Sequence, residues 1–461
     1  MRKSIKYLYI VLGILTILLF FFGQGIRWYA MGGDTEAYYI YFGHHIGVKP
    51  LYPLFFHALN QIFGAERYLY AAAVIQIIVA ALCIMTFVRF VGERMKLDKI
   101  STVILWAACL IPFWLLLPED PIPHTLMTES FTYPFLYLYV VIVLKGVYDG
   151  KERYFYYSVL FAVFMTLIRG QMLFLAAVSL VSYFYFMVKT GQNGGKTGRI
   201  GRMAGKAAVF LVVMLLLVKS ESLLSAGYEK FFFDAPNQDY SAQTLVQKAL
   251  FCADRENEGL FTDEIEREMF QRIYAGMEQE KTTYRYSPKD LWSWKHTTAS
   301  FGANSYLAGD VIREVLAERN LLSADEIEAE SQVLDYSGRL SGKLIPKNWL
   351  RCLTVSVGMM PAGFVSTVLM HKRSIYGLIH AATLILYLAA MAGSILISRW
   401  KGKLLKETEY MWLIIILATV NVVSSNLVHF GLQRYLAYTV GMFYAGGYLM
   451  VRQLFLIWKK R

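Results

Sequence analysis

Apolar runs about as long as a bilayer is thick recur along this 461-residue chain, and no other feature restricts its fold so severely. A helix needs about 20 mostly apolar residues to cross roughly 30 Å of hydrocarbon. Such runs lie at 5–23, 68–91, 100–117, 127–145, 154–188, 203–219, 376–398, 411–430 and 432–455. With no water inside the bilayer to bond the backbone, continuous runs of this kind span as helices. The run at 154–188 is too long for one span and carries "IRGQ" at its middle, where Arg169 and Gly170 would turn a hairpin. Counted as two, it brings the total to about ten helices in an all-α polytopic membrane protein. Only 17% of residues are charged and 56% are hydrophobic, whereas charged residues make up about a quarter of a soluble domain.

The formal net charge of +12 raises nucleic acid as a partner, and its distribution rejects it. Lys and Arg gather in alternate short loops: "MRKSIK", "RFVGERMKLDK", "KGVYDGKER", "KTGQNGGKTGRIGRMAGK", "RWKGKLLK" and "KKR". The loops between them are poor in both, and "PEDPIPHT" has neither. By the positive-inside rule both termini are cytoplasmic, which fits a multi-pass protein of the plasma membrane. The first run follows Arg2, Lys3 and Lys6 like a signal peptide, but "FFGQGIRWYA" offers no small-residue cleavage site, so a retained anchor is expected.

This topology places two long segments on the same outer face, 24–67 and 220–375. The second holds 22 of the 34 acidic residues and reads as soluble helices. "FTDEIEREMFQRIYAGMEQE" has a Thr or Asp cap ahead of helical apolar spacing, and "SADEIEAE" offers Ser323 with Glu326 as a capping box. The apolar stretch 348–370 is expected to lie at, or dip into, the outer interface, because a further span would invert the last three helices and put "RWKGKLLK" and "KKR" outside. The chain thus divides into a membrane module (1–219), an outer helical domain (220–375) and C-terminal membrane helices (376–461). Of four cysteines, Cys83 and Cys109 fall inside spans, whereas Cys252 and Cys352 share the outer segment, where spacing alone does not establish a disulfide.

Charges near the membrane carry the functional signal, since a charged side chain in a span is costly unless it faces a cavity or partner. Glu129 opens the fourth helix in "LMTESF"; Arg169 sits in the hairpin after the fifth; His429 and Arg434, in "NLVHFGLQRYL", precede the last helix. Asp34, Glu36, His44, His45 and Lys49 share that outer layer. Each also has a plainer use. Asp34 can be a helix N-cap, Arg169 and Arg434 can be interface anchors, and Glu129 can cap its helix or pair with an arginine. Neighbours on a helix do not share a face, so His44 and His45 are not expected to hold a metal.

The order of these features resembles that of the integral-membrane C-type (GT-C) glycosyltransferases, the group of protein O-mannosyltransferases and aminoarabinose transferases. One helix is followed by an outer loop with an acidic residue before an aromatic stretch, "GGDTEAYYIYF", and then by a basic residue before proline-bearing apolar sequence, "VKPLYPLFFHALNQIFG". An acidic residue starts the fourth helix in "LMTESFTYPFLYLYV", an Arg ends the fifth in "MTLIRGQMLFL", and "LQRYLAYTVGMFY" is similar to the family's late Arg-Tyr element. The resemblance covers residues 1–190 and the last fifty. The chain departs from it in having Lys49-Pro50-Leu51 where two prolines are common, and Asp34-Thr35 where many members have Asp-Glu.

The resemblance implies a GT-C-like helix bundle that moves a sugar from a polyprenyl-phosphate carrier to an acceptor on the outer face. It implies Asp34 and Glu129 as catalytic residues, Lys49, Arg169, Arg434, His429 and Tyr435 as substrate-binding residues, and neither metal nor cofactor. The chemistry suits the residues. The carrier cannot leave the bilayer, its phosphate needs cationic donors at the interface, and an attacking hydroxyl needs a base. Three rivals stay open: an O-antigen-type polymerase or ligase, a lipid-linked glycan transporter, and a non-catalytic scaffold that uses 220–375 for docking. The transporter would place its charges near mid-membrane, in repeated or broken helices.

Overall fold

The computed structural model describes residues 2–22, 29, 49–115, 122–190, 196–233, 241–287, 294–368, 374–400, 402, 405–428 and 436–459. Every regular element among them is a helix, as the recurring apolar runs predict. Among the described residues, seven helices are long and apolar enough to cross a membrane: α1 (Arg2–Phe22), α3 (Tyr68–Arg94), α5 (Glu129–Asp149), α7 (Phe174–Thr190, with the 3-10 turn before it), α8 (Lys196–Phe233), α15 (Lys406–Val428) and α16 (Val440–Trp458). The other three expected spans are also helical. The apolar stretches Lys99–Phe113 of α4 (Lys99–Leu115) and Ile385–Trp400 of α14 (Ser374–Trp400) are shorter. With 14 residues, α6 (Arg153–Thr166) reaches only about 21 Å at 1.5 Å per residue.

Helix α3 lies against α1, α4, α5 and the short α2 (Leu51–Phe63), and buried aromatic rings fill the space between them. Two glycines illustrate how closely the helices approach. A Cβ on Gly146 would meet the Phe155 ring at 2.7 Å, and one on Gly441 would meet the Tyr137 hydroxyl at 2.6 Å and the Ala108 carbonyl at 2.8 Å. Three buried tyrosines donate their hydroxyls to backbone carbonyls, Tyr137 to Cys109 at 2.9 Å, Tyr139 to Leu175 at 2.8 Å and Tyr410 to Met442 at 2.9 Å. The interior thereby keeps large rings without stranding their polar tips.

Outside the bundle, α9 (Ser241–Phe251), α10 (Glu264–Gln279), α11 (Trp294–Glu318) and α12 (Glu326–Lys347) share a second core around Leu250, Phe270, Ile312 and Leu340. Asp263 caps α10 through the amides of Ile265 and Glu266, within the sequence expectation. The cap of α12 is Asp325, which accepts from the Glu328 amide, and not Ser323. The closer carboxylate takes the amide, and Ser323 instead donates to the Glu328 side chain at 2.7 Å. Residues 349–368 form α13 (Trp349–Val368), which packs on α15 and is not among the seven spans. Helix α8 runs 38 residues without a break through position 220, where the sequence suggests the outer segment begins.

The bundle has two unlike polar ends. One, lysine-rich among the described residues, carries the ion pairs Arg94–Asp149, Lys189–Glu409 and Lys206–Glu152. The other faces the second core and holds Lys49, Glu129, Arg169, Glu221 and Lys248.

Candidate functional site

Glu129 is the first residue of α5, and the turn before it fixes where it points. The 3-10 turn Ile122–His124 is wedged among α1, α3, α4 and α5. Ser130 donates to the Ile122 carbonyl at 2.6 Å and also contacts that of Thr125, folding residues 122–128 over the helix start. Across from it, α6 ends and Arg169 adopts an extended backbone before the turn Gly170–Leu173, the hairpin expected from "IRGQ". The guanidinium reaches back into the protein, where Nη1 donates to Thr128 Oγ1 at 2.6 Å and forms an ion pair with Glu129 Oε2 at 2.8 Å. Thr128 in turn donates to the same carboxylate oxygen at 3.1 Å.

This pair is not a surface anchor, because the side chains of Arg169 and Glu129 are only 13% and 4% exposed. The second carboxylate oxygen of Glu129, Oε1, is buried without a hydrogen-bond partner among the described residues. A buried carboxylate oxygen left open in this way is costly unless something comes to fill it.

Lys49 stands beside the same hairpin. Its Cε lies 3.1 Å from where a Cβ on Gly170 would be, and the Leu51 amide donates to the Leu167 carbonyl at 3.0 Å, so the start of α2 is tied to the end of α6. The Lys49 ammonium pairs with Glu221 of α8 at 2.9 Å, and Ser225, one turn on, donates to the same oxygen at 3.1 Å. On the far side of Gly170, the Gln171 amide reaches Asn421 at 3.2 Å and Ser425 at 3.1 Å on α15. The last carbonyls of α15, Asn426 and Leu427, accept from Lys248 of α9, which also bonds Ser356 of α13 at 3.0 Å. Burial pulls the Lys248 ammonium down to about 8.

Of the residues singled out in the sequence, Lys49, Glu129 and Arg169 therefore meet at one end of the bundle. Asp34, Glu36, His44, His45, His429, Arg434 and Tyr435 lie outside the described residues. Among the described residues no cluster of three or more metal-ligating side chains occurs. Sequence reasoning missed Glu221, Thr128, Gln171 and Lys248. Only Glu221 had a signal, an acidic residue directly following the apolar run in "LLLVKSESLL".

An open apolar groove of about 740 Å³ runs along α5, α6 and α8, lined by Ile142, Tyr157, Leu160, Phe164 and Leu224 among others. Leu167 and Ser220 line it as well, placing part of its wall next to Glu221 and close to Arg169.

No protein-family model matches the chain, and no curated protein matches its sequence. A crystal structure of ArnT from Cupriavidus metallidurans bound to undecaprenyl phosphate is similar at 14% identity and a TM-score of 0.33, over 98% of this chain and 79% of that one. A likeness that remote leaves the chemistry to be argued from this chain's own residues.

Proposed function

We propose that this protein is a plasma-membrane glycosyltransferase that moves a sugar from a polyprenyl-phosphate carrier to an acceptor on the extracytoplasmic face. The observation that carries the reading is the buried Arg169–Glu129 pair, with one carboxylate oxygen lacking a partner among the described residues, on the same hairpin that Lys49 packs against through Gly170. The ordered likeness of the sequence to C-type glycosyltransferases supports it, as does an apolar groove in which an isoprenoid chain can lie with its phosphate near Lys49 and Arg169.

In this mechanism the acceptor hydroxyl oxygen attacks the anomeric carbon from the face opposite the phosphate, and the bond from that carbon to the phosphate oxygen breaks with inversion. The electron pair leaves with the polyprenyl phosphate, whose charge Lys49, Arg169 and Arg434 receive as charge-assisted hydrogen bonds. The acceptor's proton passes to Asp34. Glu129 holds the Arg169 guanidinium in place and offers its open Oε1 to a sugar hydroxyl, while His429 and Tyr435 complete the pocket. Helices of the 220–375 segment shape the acceptor side.

Asp34→Asn tests the mechanism, because Asn keeps the size and capping ability of the side chain and loses only the base. The variant is expected to bind polyprenyl-phosphate sugar normally and to transfer it roughly 10²-fold or more slowly. Near-normal transfer by the purified variant would end the mechanism.

A further inference from the structure

The outer helices hold a feature that sugar transfer does not use. Cys252, the residue after α9, and Cys352, in the first turn of α13, are both buried in one apolar cluster with Phe251, Phe301, Val355 and Met359. Their thiols lie within hydrogen-bonding reach of each other. The chain around them is braced. Arg351 Nη1 donates to the Cys252 carbonyl at 2.8 Å and pairs with Asp254 at 2.7 Å. One helical turn away on both sides, Lys248 bonds Ser356 at 3.0 Å. These two rungs hold together the two segments that carry the cysteines.

The pair is also asymmetric. The hydrogen bond from Cys252, helped by the Lys248 and Arg351 cations, holds the Cys352 thiol below its ordinary value, while the same bond and burial push Cys252 up. Cys352 is the less buried of the two, at 7% exposure against 0%. The thiolate is the nucleophile in thiol–disulfide exchange, so Cys352 is the residue placed to react first.

We propose that Cys252 and Cys352 are a site of disulfide formation, closed by a disulfide oxidant and joining the outer helical cluster covalently to α13. The Cys352 thiolate attacks one sulfur of the oxidant, forming a mixed disulfide and expelling a thiolate. The Cys252 thiol then loses its proton and attacks the Cys352 sulfur, expelling the second thiolate. Two protein thiols are oxidised to one disulfide, the oxidant's disulfide is reduced to two thiols, and the two protons go to the departing sulfurs. The new bond sits one turn from Lys248, so it also secures the lysine that ties α9 to the end of α15.

The test uses the full-length protein in detergent, reduced, freed of reductant and incubated with oxidised glutathione. It is then denatured, alkylated and digested for mass spectrometry. The expected product is a peptide pair joined through Cys252 and Cys352, two hydrogens lighter than its parts, with Cys83 and Cys109 fully alkylated. Oxidation should also raise the melting temperature, because the bond closes a long loop. The order of attack is read from single variants: Cys252→Ser should accumulate glutathione on Cys352, and Cys352→Ser should leave Cys252 free. Full alkylation of both cysteines in the oxidised wild-type protein, which requires no variant to fold, would overturn the proposal.

Discussion

The two polar ends of the helix bundle use the same kinds of residue for opposite purposes. At the lysine-rich end Glu152 and Glu409 each accept from two nearby donors. Glu152 accepts from Lys206 at 2.6 Å and from Tyr183, and Glu409 accepts from Tyr185 at 2.7 Å and from Lys189. The lysines there are open to water, Lys206 at 51% exposure. At the other end the guanidinium of Arg169 is buried with Glu129, and one carboxylate oxygen has no partner among the described residues. Glu409 is itself only 4% exposed, so what separates the ends is the cation, Lys189 at 40% and Lys206 at 51% exposure against Arg169 at 13%. A buried cation beside a carboxylate oxygen that lacks a partner among the described residues is what sets the second end apart.

Removing Arg169 is the strongest way to break that contrast. Arg169→Ala leaves the Glu129 carboxylate buried and unpaired, and is expected to cost about 3–5 kcal/mol in unfolding free energy and to abolish transfer. Adding Glu129→Gln should restore much of the stability and none of the transfer. A penalty for Arg169→Ala no larger than that of a surface charge would erase the distinction between the ends.

Lys49 should matter less to folding and more to donor binding, since its side chain is 31% exposed. Lys49→Met is expected to weaken polyprenyl-phosphate binding by on the order of 1–3 kcal/mol, with binding by the wild type falling as salt is raised. Unchanged affinity would leave Lys49 as a tie to Glu221 alone.

Lys248 sharpens the comparison through pH. The folded lysine releases its proton near 8, and the unfolded one keeps it to 10.5. Between those values the unfolded chain binds more protons, so this residue makes the fold more stable as pH rises from about 8 to 10.5. Wild type should therefore gain stability relative to Lys248→Met over that window in thermal unfolding. A flat difference would mean that the ammonium is not desolvated. At the opposite end, Lys206→Ala should change stability by about 1 kcal/mol or less and leave transfer untouched.

Much of this was legible in the residues. The apolar runs marked the helices because backbone in hydrocarbon has one economical solution, and Arg169 and Glu129 stood out because charge beside such runs needs a reason. Glu221 escaped because its helix continues past the apolar run, and hydropathy reports where lipid ends, not where a helix does. Lys248 had no local signal at all, and spacing alone did not bring the two outer cysteines together. Their setting is made by α13 and α15, about 100 residues or more further on, and tertiary contacts of that range leave no periodic trace in sequence.

The lysine fork has a consequence for the order in which the molecule is made. The carbonyls of Asn426 and Leu427 that hold Lys248 come 178 and 179 residues after it. At about 5–20 residues per second that is a delay of roughly ten to forty seconds between the emergence of the donor and of its acceptors. Throughout that interval the lysine has no α15 to close upon, and water must solvate it. The membrane-facing side of the second core is thus sealed last, by the arrival of the penultimate span.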